Sequence, residues 1–219
     1  MVSHRLASQA RQAELVDAAL TLAARGHPAD VTTAALAAAV GITQGAVFRH
    51  FDSKEAIWLA VIDQVHARLM ARLQLASRHD SQPLQALRAV FLAHVDFVLE
   101  HPGVPRVIFQ ELQQAGDTAL KARVRRLMGD YRQLLMRLLQ QARDAASLAP
   151  QVDLEAAITL FIGTVQGLVM QSMLAGDIAT LRAQAPRVFT LYLGGVASDG
   201  GGVVGNSSPD GRSSQESRA

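Results

Sequence analysis

The chain has 219 residues, of which 49% are apolar and 18% charged, with a net charge of +2 and a pI near 9.5. That is enough apolar material for a real core, and too little net charge to imply a nucleic-acid partner by itself. Cysteine is absent, which excludes disulfides, thiolate metal sites and a cysteine nucleophile, and suits a reducing compartment.

Leu, Ala, Gln and Arg abound and β-branched residues are sparse, so the expected fold class is all-α. The N-terminus, MVSHRLASQARQAELVD, carries charges throughout and has no apolar centre, so it does not read as a signal peptide. Residues 1–7 read as a flexible arm. From Ser8 to about Arg25 the apolar positions recur at helical spacing, and GHPAD (26–30) stops that helix. Thr32 or Thr33 can cap a short helix over AALAAAV, which ends at Gly41. Thr43 can cap a second short helix, from Gln44 to about His50. Two short helices joined by a tight Gly-containing turn form a helix-turn-helix, and Ala35, Ala38 and Ala39 allow the close approach. Asp52 as N-cap with Glu55 at the third helical position starts a long helix reaching about Arg78.

Further helices are expected over Leu84–Glu100, Arg106–Gln114, Thr118–Ala146 and Asp153–Ala175, separated by HDSQP, HPGVP, AGD and SLAPQ. A last one lies between Asp177 and Val196, with a kink or a start near Pro186. No apolar run reaches the ~18 residues of a membrane span. ITLFIGTVQGLVMQSMLAG (158–176) comes nearest, but Gln166 and Gln171 interrupt it, and it reads as a buried helix. Residues 198–219 are Gly/Ser-rich and read as a disordered tail. The expected organisation is therefore an arm (1–7), a helix-turn-helix domain (8–53), a helical regulatory and dimerisation domain (54–197) and a tail. The protein is expected to be cytoplasmic, with no membrane partner.

The stretch GITQGAVFRHFDSKE (41–55) carries the functional argument. A phosphate loop needs closely spaced glycines between a strand and a helix, and Gly41 and Gly45 have neither the spacing nor the strand. Catalysis needs a nucleophile with a base, and neither Ser53 nor His50 has a partner in a fixed relation to it. A helix for insertion accounts for more. Gly45 lets another backbone come near, Arg49 and His50 supply donors, and Lys54 at a helix start, where a cation opposes the helix dipole, suits a phosphate.

Residues 32–57, TTAALAAAVGITQGAVFRHFDSKEAI, resemble the DNA-binding segment of the tetracycline-repressor (TetR) family of bacterial transcription regulators. The shared pattern is Thr32-Thr33, Leu36-Ala37, Gly41-Ile42-Thr43, Gly45, Phe48, His50-Phe51 and Ser53-Lys54-Glu55. The resemblance covers residues 11–60; beyond them it is one of layout. It implies that the second short helix lies in the major groove, with Thr43, Gln44, Ala46 and Arg49 nearest the base edges. Gln44 then pairs with adenine, Arg49 with guanine, and the Ala46 methyl meets thymine. It also implies phosphate contacts from Thr33, His50 and Lys54, which fix register without reading sequence, and places Thr32 in the same DNA-binding set. Phe48 departs from the tyrosine usual there, so a phenol donor is lost while stacking on sugar remains. Phe51 reads as core.

The same resemblance implies a homodimer on a palindromic operator, built on the last two long helices. Gly163 and Gly167, one turn apart, suit that interface, with Gln171, Val188 and Tyr192; packing within one chain is the competing reading of the glycines. It further implies a repressor released by a small hydrophobic effector, aromatic or cationic in the family-level expectation, with the helix from Lys54 to Arg78 as lever. Trp58, Phe91, His94, Phe109, Tyr131, Gln166 and Met170 are the candidate pocket residues, although aromatics and Met at helical spacing are usually core, and His94 on an apolar face is first of all a buried histidine. His94 and His101 are too far apart to pair as metal ligands, and no cofactor or metal is expected. A partner-controlled or architectural DNA-binding protein on the same fold is the alternative, favoured by a filled interior. No convergent acid, base or metal set supports an enzyme.

Overall fold

The structure is a computed structural model that describes residues 2–78 and 80–198, with side chains from residue 8 onward. Among these residues there are nine α-helices: α1 (Val2–Arg25), α2 (Thr33–Ala39), α3 (Gln44–Val47), α4 (Lys54–Ser77), α5 (Pro83–Glu100), α6 (Gly103–Gln113), α7 (Ala119–Asp144), α8 (Leu154–Ala175) and α9 (Thr180–Val196). The nearest approach to a strand is one antiparallel bridge, Leu148 with Ala197, which ties the α7–α8 loop to the end of α9. The tail expected to be disordered lies, from residue 199, outside the described residues.

Four boundaries differ from the sequence reading. The first helix begins at Val2, because nothing between residues 2 and 25 breaks it: no Gly or Pro occurs there. The N-cap of α4 is Ser53, not Asp52. Its hydroxyl accepts from Ala56 N at 3.0 Å, and its extended backbone suits the half-in position. Helix α6 starts at Gly103, inside the expected break. Pro105 is tolerated there because the first-turn N–H groups of a helix have no intrahelical partner. Helix α3 closes after Val47, and the chain tightens through Arg49 N to Ala46 O at 3.2 Å and His50 N to Val47 O at 2.9 Å. Helix α9 runs on through Pro186.

The three N-terminal helices close over Leu15, Val16, Ala19, Leu36, Val47 and Phe51. The larger part is centred on aromatic rings from different helices. Phe91 of α5 meets Phe161 of α8 edge-on at 5.3 Å and Phe189 of α9 at 5.2 Å, with Tyr131 of α7 fully buried beside them. Such pairs contribute beyond the apolar area they bury.

Helix α8 is long and apolar enough to cross a membrane, but it buries Ile158, Phe161, Val165, Leu168 and Ser172 in this core. The helix expected to be buried is buried on one face only. The 3.6-residue period puts Leu160, Gly163, Gln166, Met170, Gln171 and Leu174 on the outer face, so neither glutamine is a buried amide.

Candidate nucleic-acid interface and effector cavity

The turn between α2 and α3 depends on Gly41, whose φ of +69° lies in the left-handed region that favours glycine. Thr32 caps α2 by accepting from Ala35 N at 3.1 Å, and Thr43 caps α3 by accepting from Ala46 N at 3.2 Å. The buried Leu36, Ala37 and Val47 lock the two helices together. What remains outside is the polar and small face. Thr43, Gln44, Gly45 and Arg49 are exposed, Ala46 is half-buried, and the Phe48 ring stands 47% exposed. A Cβ on Gly45 would meet nothing within 4 Å, so the surface there is open to close approach.

Several of these groups are already oriented. Gln44 Nε2 donates to Thr33 Oγ1 at 2.9 Å, which holds the amide against α2. Lys54 Nζ donates to Ala29 O at 2.7 Å. The His50 ring lies 3.4 Å from Ser8 Oγ, and its carbonyl accepts from Gln12 Nε2 at 2.9 Å, fastening the end of the unit to α1. Phe51 is buried against α1.

In the larger part, α4, α5, α6, α7 and α8 enclose a cavity of about 560 Å³. Its wall is apolar: Val65 and Leu69 from α4, Val98 from α5, Ile108 from α6, Ile162 and Val169 from α8. Of the seven pocket residues expected from sequence it brings together His94, Phe109 and Gln166. The other four lie off it. Phe91 and Tyr131 are in the central aromatic cluster, Trp58 packs beside Ile62 and Val107, and Met170 sits on the outer face of α8. The reason is geometric: an apolar stripe shows which face a helix buries, not whether the neighbour leaves a gap. Sequence reading missed the first turn of α6 because Val104 and Pro105 fall in the supposed break. It also missed Lys121, Arg125 and Arg132, though their i, i+4, i+11 spacing places them on one stripe of α7.

His94 edges on this cavity and shares a 3.2 Å hydrogen bond between its Nδ1 and the Tyr131 hydroxyl. Burial pushes the imidazole pKa down to about 4, so the ring is neutral at pH 7. Burial also holds the Tyr131 phenol protonated far above its ordinary range, helped by the nearby Tyr192.

Two residues join the cavity to the N-terminal helices. Gly103, at the start of α6, sits so close to α1 that a Cβ would fall 2.2 Å from Leu20 O and 3.1 Å from Ala24 N. Asp17 of α1 accepts from Arg68 of α4 through both oxygens, at 2.8 and 3.2 Å, and from Gln64 at 2.8 Å.

Of the dimer candidates, Gly163 and Gly167 face open space, with nothing within 4 Å of a built Cβ, so they do not serve packing within the chain. Gln171 is exposed and Val188 half-buried. Tyr192 is a correction: its ring is buried between Phe161 and Phe189, because the period of α9 turns it inward.

Residues 15–61 match the family described as bacterial regulatory proteins, tetR family, and residues 83–186 match the tetracyclin repressor-like C-terminal domain. The chain belongs to the tetR family. The regulator is 31% identical over 113 residues to the nucleoid occlusion factor SlmA of Glaesserella parasuis, which covers 52% of this chain and 56% of that protein. It spans about half the length of the curated relatives it matches. Among solved structures, FadR of Bacillus subtilis, in complex with stearoyl-CoA, superposes with a TM-score of 0.74 at 18% identity, over 83% of this chain and 97% of that one. SmeT, the repressor of a multidrug efflux pump of Stenotrophomonas maltophilia, superposes at 0.70 and 24% identity, over 92% and 99%. At these identities the structures speak for the fold alone.

Proposed function

We propose that this tetR-family regulator is a repressor that binds a palindromic operator as a homodimer and is released by a small hydrophobic effector. The observation that carries the reading is the 560 Å³ apolar cavity, a size suited to a small-molecule site, whose α6 wall is the same helix that rests on α1. An effector that occupies the cavity displaces α6 and α4. Both are fastened to α1, at Gly103 and at Asp17, and α1 holds the helix-turn-helix through Gln12 and Phe51. The shift changes the spacing of the two recognition helices. It releases DNA only if the effector binds the released state more tightly than the DNA-bound one. The lever is therefore α4 together with α6.

The outer face of α8 supports the dimer. Leu160, Met170 and Leu174 stand exposed on the same helix face as two glycines, and Leu191 of α9 is exposed as well. The recognition set is Gln44, Ala46 and Arg49 for bases and Thr33, His50 and Lys54 for phosphates. A structure solved as "SmeT-Triclosan complex" and the stearoyl-CoA complex of FadR agree with an effector that has a large apolar part. The alternative, control by a protein partner, draws on the nucleoid occlusion relatives, but it expects a filled interior, and the cavity weighs against it.

The test is release. Duplex bound by the purified protein is titrated with apolar compounds of graded size while binding of the same compounds to the free protein is measured. The proposal expects compounds that bind the protein to weaken its hold on DNA, and DNA to weaken theirs by the same factor. Compounds that occupy the cavity without any change in DNA affinity would exclude effector control.

A further inference from the structure

The cavity is apolar in its depth and charged of one sign at its edge. Among its lining residues are Lys121, Arg125 and Arg132, and no aspartate or glutamate. All three stand on one stripe of α7, with Gly129 between the arginines, where a built Cβ would meet nothing within 4 Å. The carboxylates that pair with them lie outside the lining. Arg125 donates to Asp117 at 2.6 Å, and Arg132 donates to Glu155 and, at 3.4 Å, to Thr159 Oγ1. Lys121 is held by the carbonyls of Gln114 and Gly116. These contacts use one N–H of Arg125 and two of Arg132. A guanidinium has five N–H donors in a fork suited to carboxylate or phosphate, so both arginines keep donors for a second anion. The Arg125 side chain is 60% exposed, and a pair that exposed holds its partner weakly.

We infer that the effector is an anionic amphiphile, with an apolar body in the cavity and a carboxylate or phosphate head at Arg125, Arg132 and Lys121. This inference rests on the effector reading above. Charge of one sign at the mouth of a low-dielectric cleft attracts the opposite sign and opposes its own. A lipophilic cation, which needs acidic groups or an aromatic cage, would find no carboxylate among the lining residues and would face Lys121 and the free edges of two arginines. The deep end offers no charge to compete, because His94 is neutral and already bonded to Tyr131.

The full-length protein is titrated with the neutral dye N-phenyl-1-naphthylamine, whose fluorescence rises in apolar surroundings. Displacement is then measured with dodecanoate, dodecyl phosphate, dodecanol and dodecyltrimethylammonium, all below micelle formation. The expected result is that both anions displace the dye at least about tenfold more tightly than the alcohol, and the ammonium least of all. A preference for the phosphate over the carboxylate would identify the head group. The double variant Arg125→Ala with Arg132→Ala should bind the dye as before and lose the preference for anions. Equal displacement by all four compounds, or an anion preference that survives the double variant, would overturn the inference and leave the cavity reading standing. Failure of the dye to bind would overturn both.

Discussion

Replacing Gly103 with alanine asks whether α6 is seated on α1 as closely as the structure shows. The added Cβ would fall 2.2 Å from Leu20 O, 3.1 Å from Ala24 N and 3.2 Å from Leu20 C. All three are backbone atoms of a helix and cannot rotate away. Ordinary contact therefore requires α6 to back off α1 by about 1 Å. In an open helix position the same substitution stabilises by about 0.5–1 kcal/mol, since alanine loses less backbone freedom. Here overpacking dominates, at about 1–3 kcal/mol. At about 2–4 °C per kcal/mol for a chain of this size, the Tm should fall by roughly 2–12 °C. Thermal unfolding by circular dichroism at one fixed protein concentration measures it, since association makes Tm depend on concentration. DNA affinity should change as well, because α6 moves against the helix that carries the helix-turn-helix. A Gly103→Ala variant with an unchanged or raised Tm would refute the close seating and the coupling built on it.

Acid should destabilise the protein in a defined window. His94 has a folded-state pKa of about 4 against an ordinary 6.5, so the stability it contributes is complete above pH 6.5 and is lost as pH falls toward 4. The loss is on the order of 3 kcal/mol, and His94→Gln should flatten that part of a Tm–pH profile relative to wild type. Ser53→Ala should cost about 1 kcal/mol through the lost α4 cap, whereas Asp52→Ala should stay within about 0.5 kcal/mol; denaturant titration of the pair decides which residue caps the helix. Placing glutamates at Gly163 and Gly167 should leave a folded monomer in sedimentation runs where the wild-type protein sediments as a dimer, and an unchanged dimer would move the interface off α8.

Much of the fold was legible because helices announce themselves by period and breakers. Gly41 marked its turn, Thr43 its cap, and the stripes of α4, α5 and α7 their buried faces. What failed were places where a local signal had two meanings. Proline breaks a helix or fits its first turn, and Pro105 does the second. Asp52 and Ser53 both make good caps, and backbone geometry selected Ser53. The motif gave the polar face of α3, but not the holding of Gln44 by Thr33 or of Lys54 by Ala29, which depend on how loops meet. The cavity was the least legible feature. His94, Phe109 and Gln166 line it while Phe91 and Tyr131 do not, and no one-dimensional pattern distinguishes a ring facing a gap from a ring facing another ring.

The central claim is that this face of α3 reads a DNA sequence and that Arg49 helps to read it. Selection of bound duplexes from a random pool tests it directly, with Arg49→Ala and Lys54→Ala run beside the wild type. The account predicts an enriched palindrome with half-sites about one helical turn apart. Arg49→Ala should lose preference at one base pair of each half-site, and Lys54→Ala should bind every sequence more weakly with the preference intact. Binding without any enriched sequence, or an Arg49→Ala variant that selects the same palindrome as wild type, would contradict it.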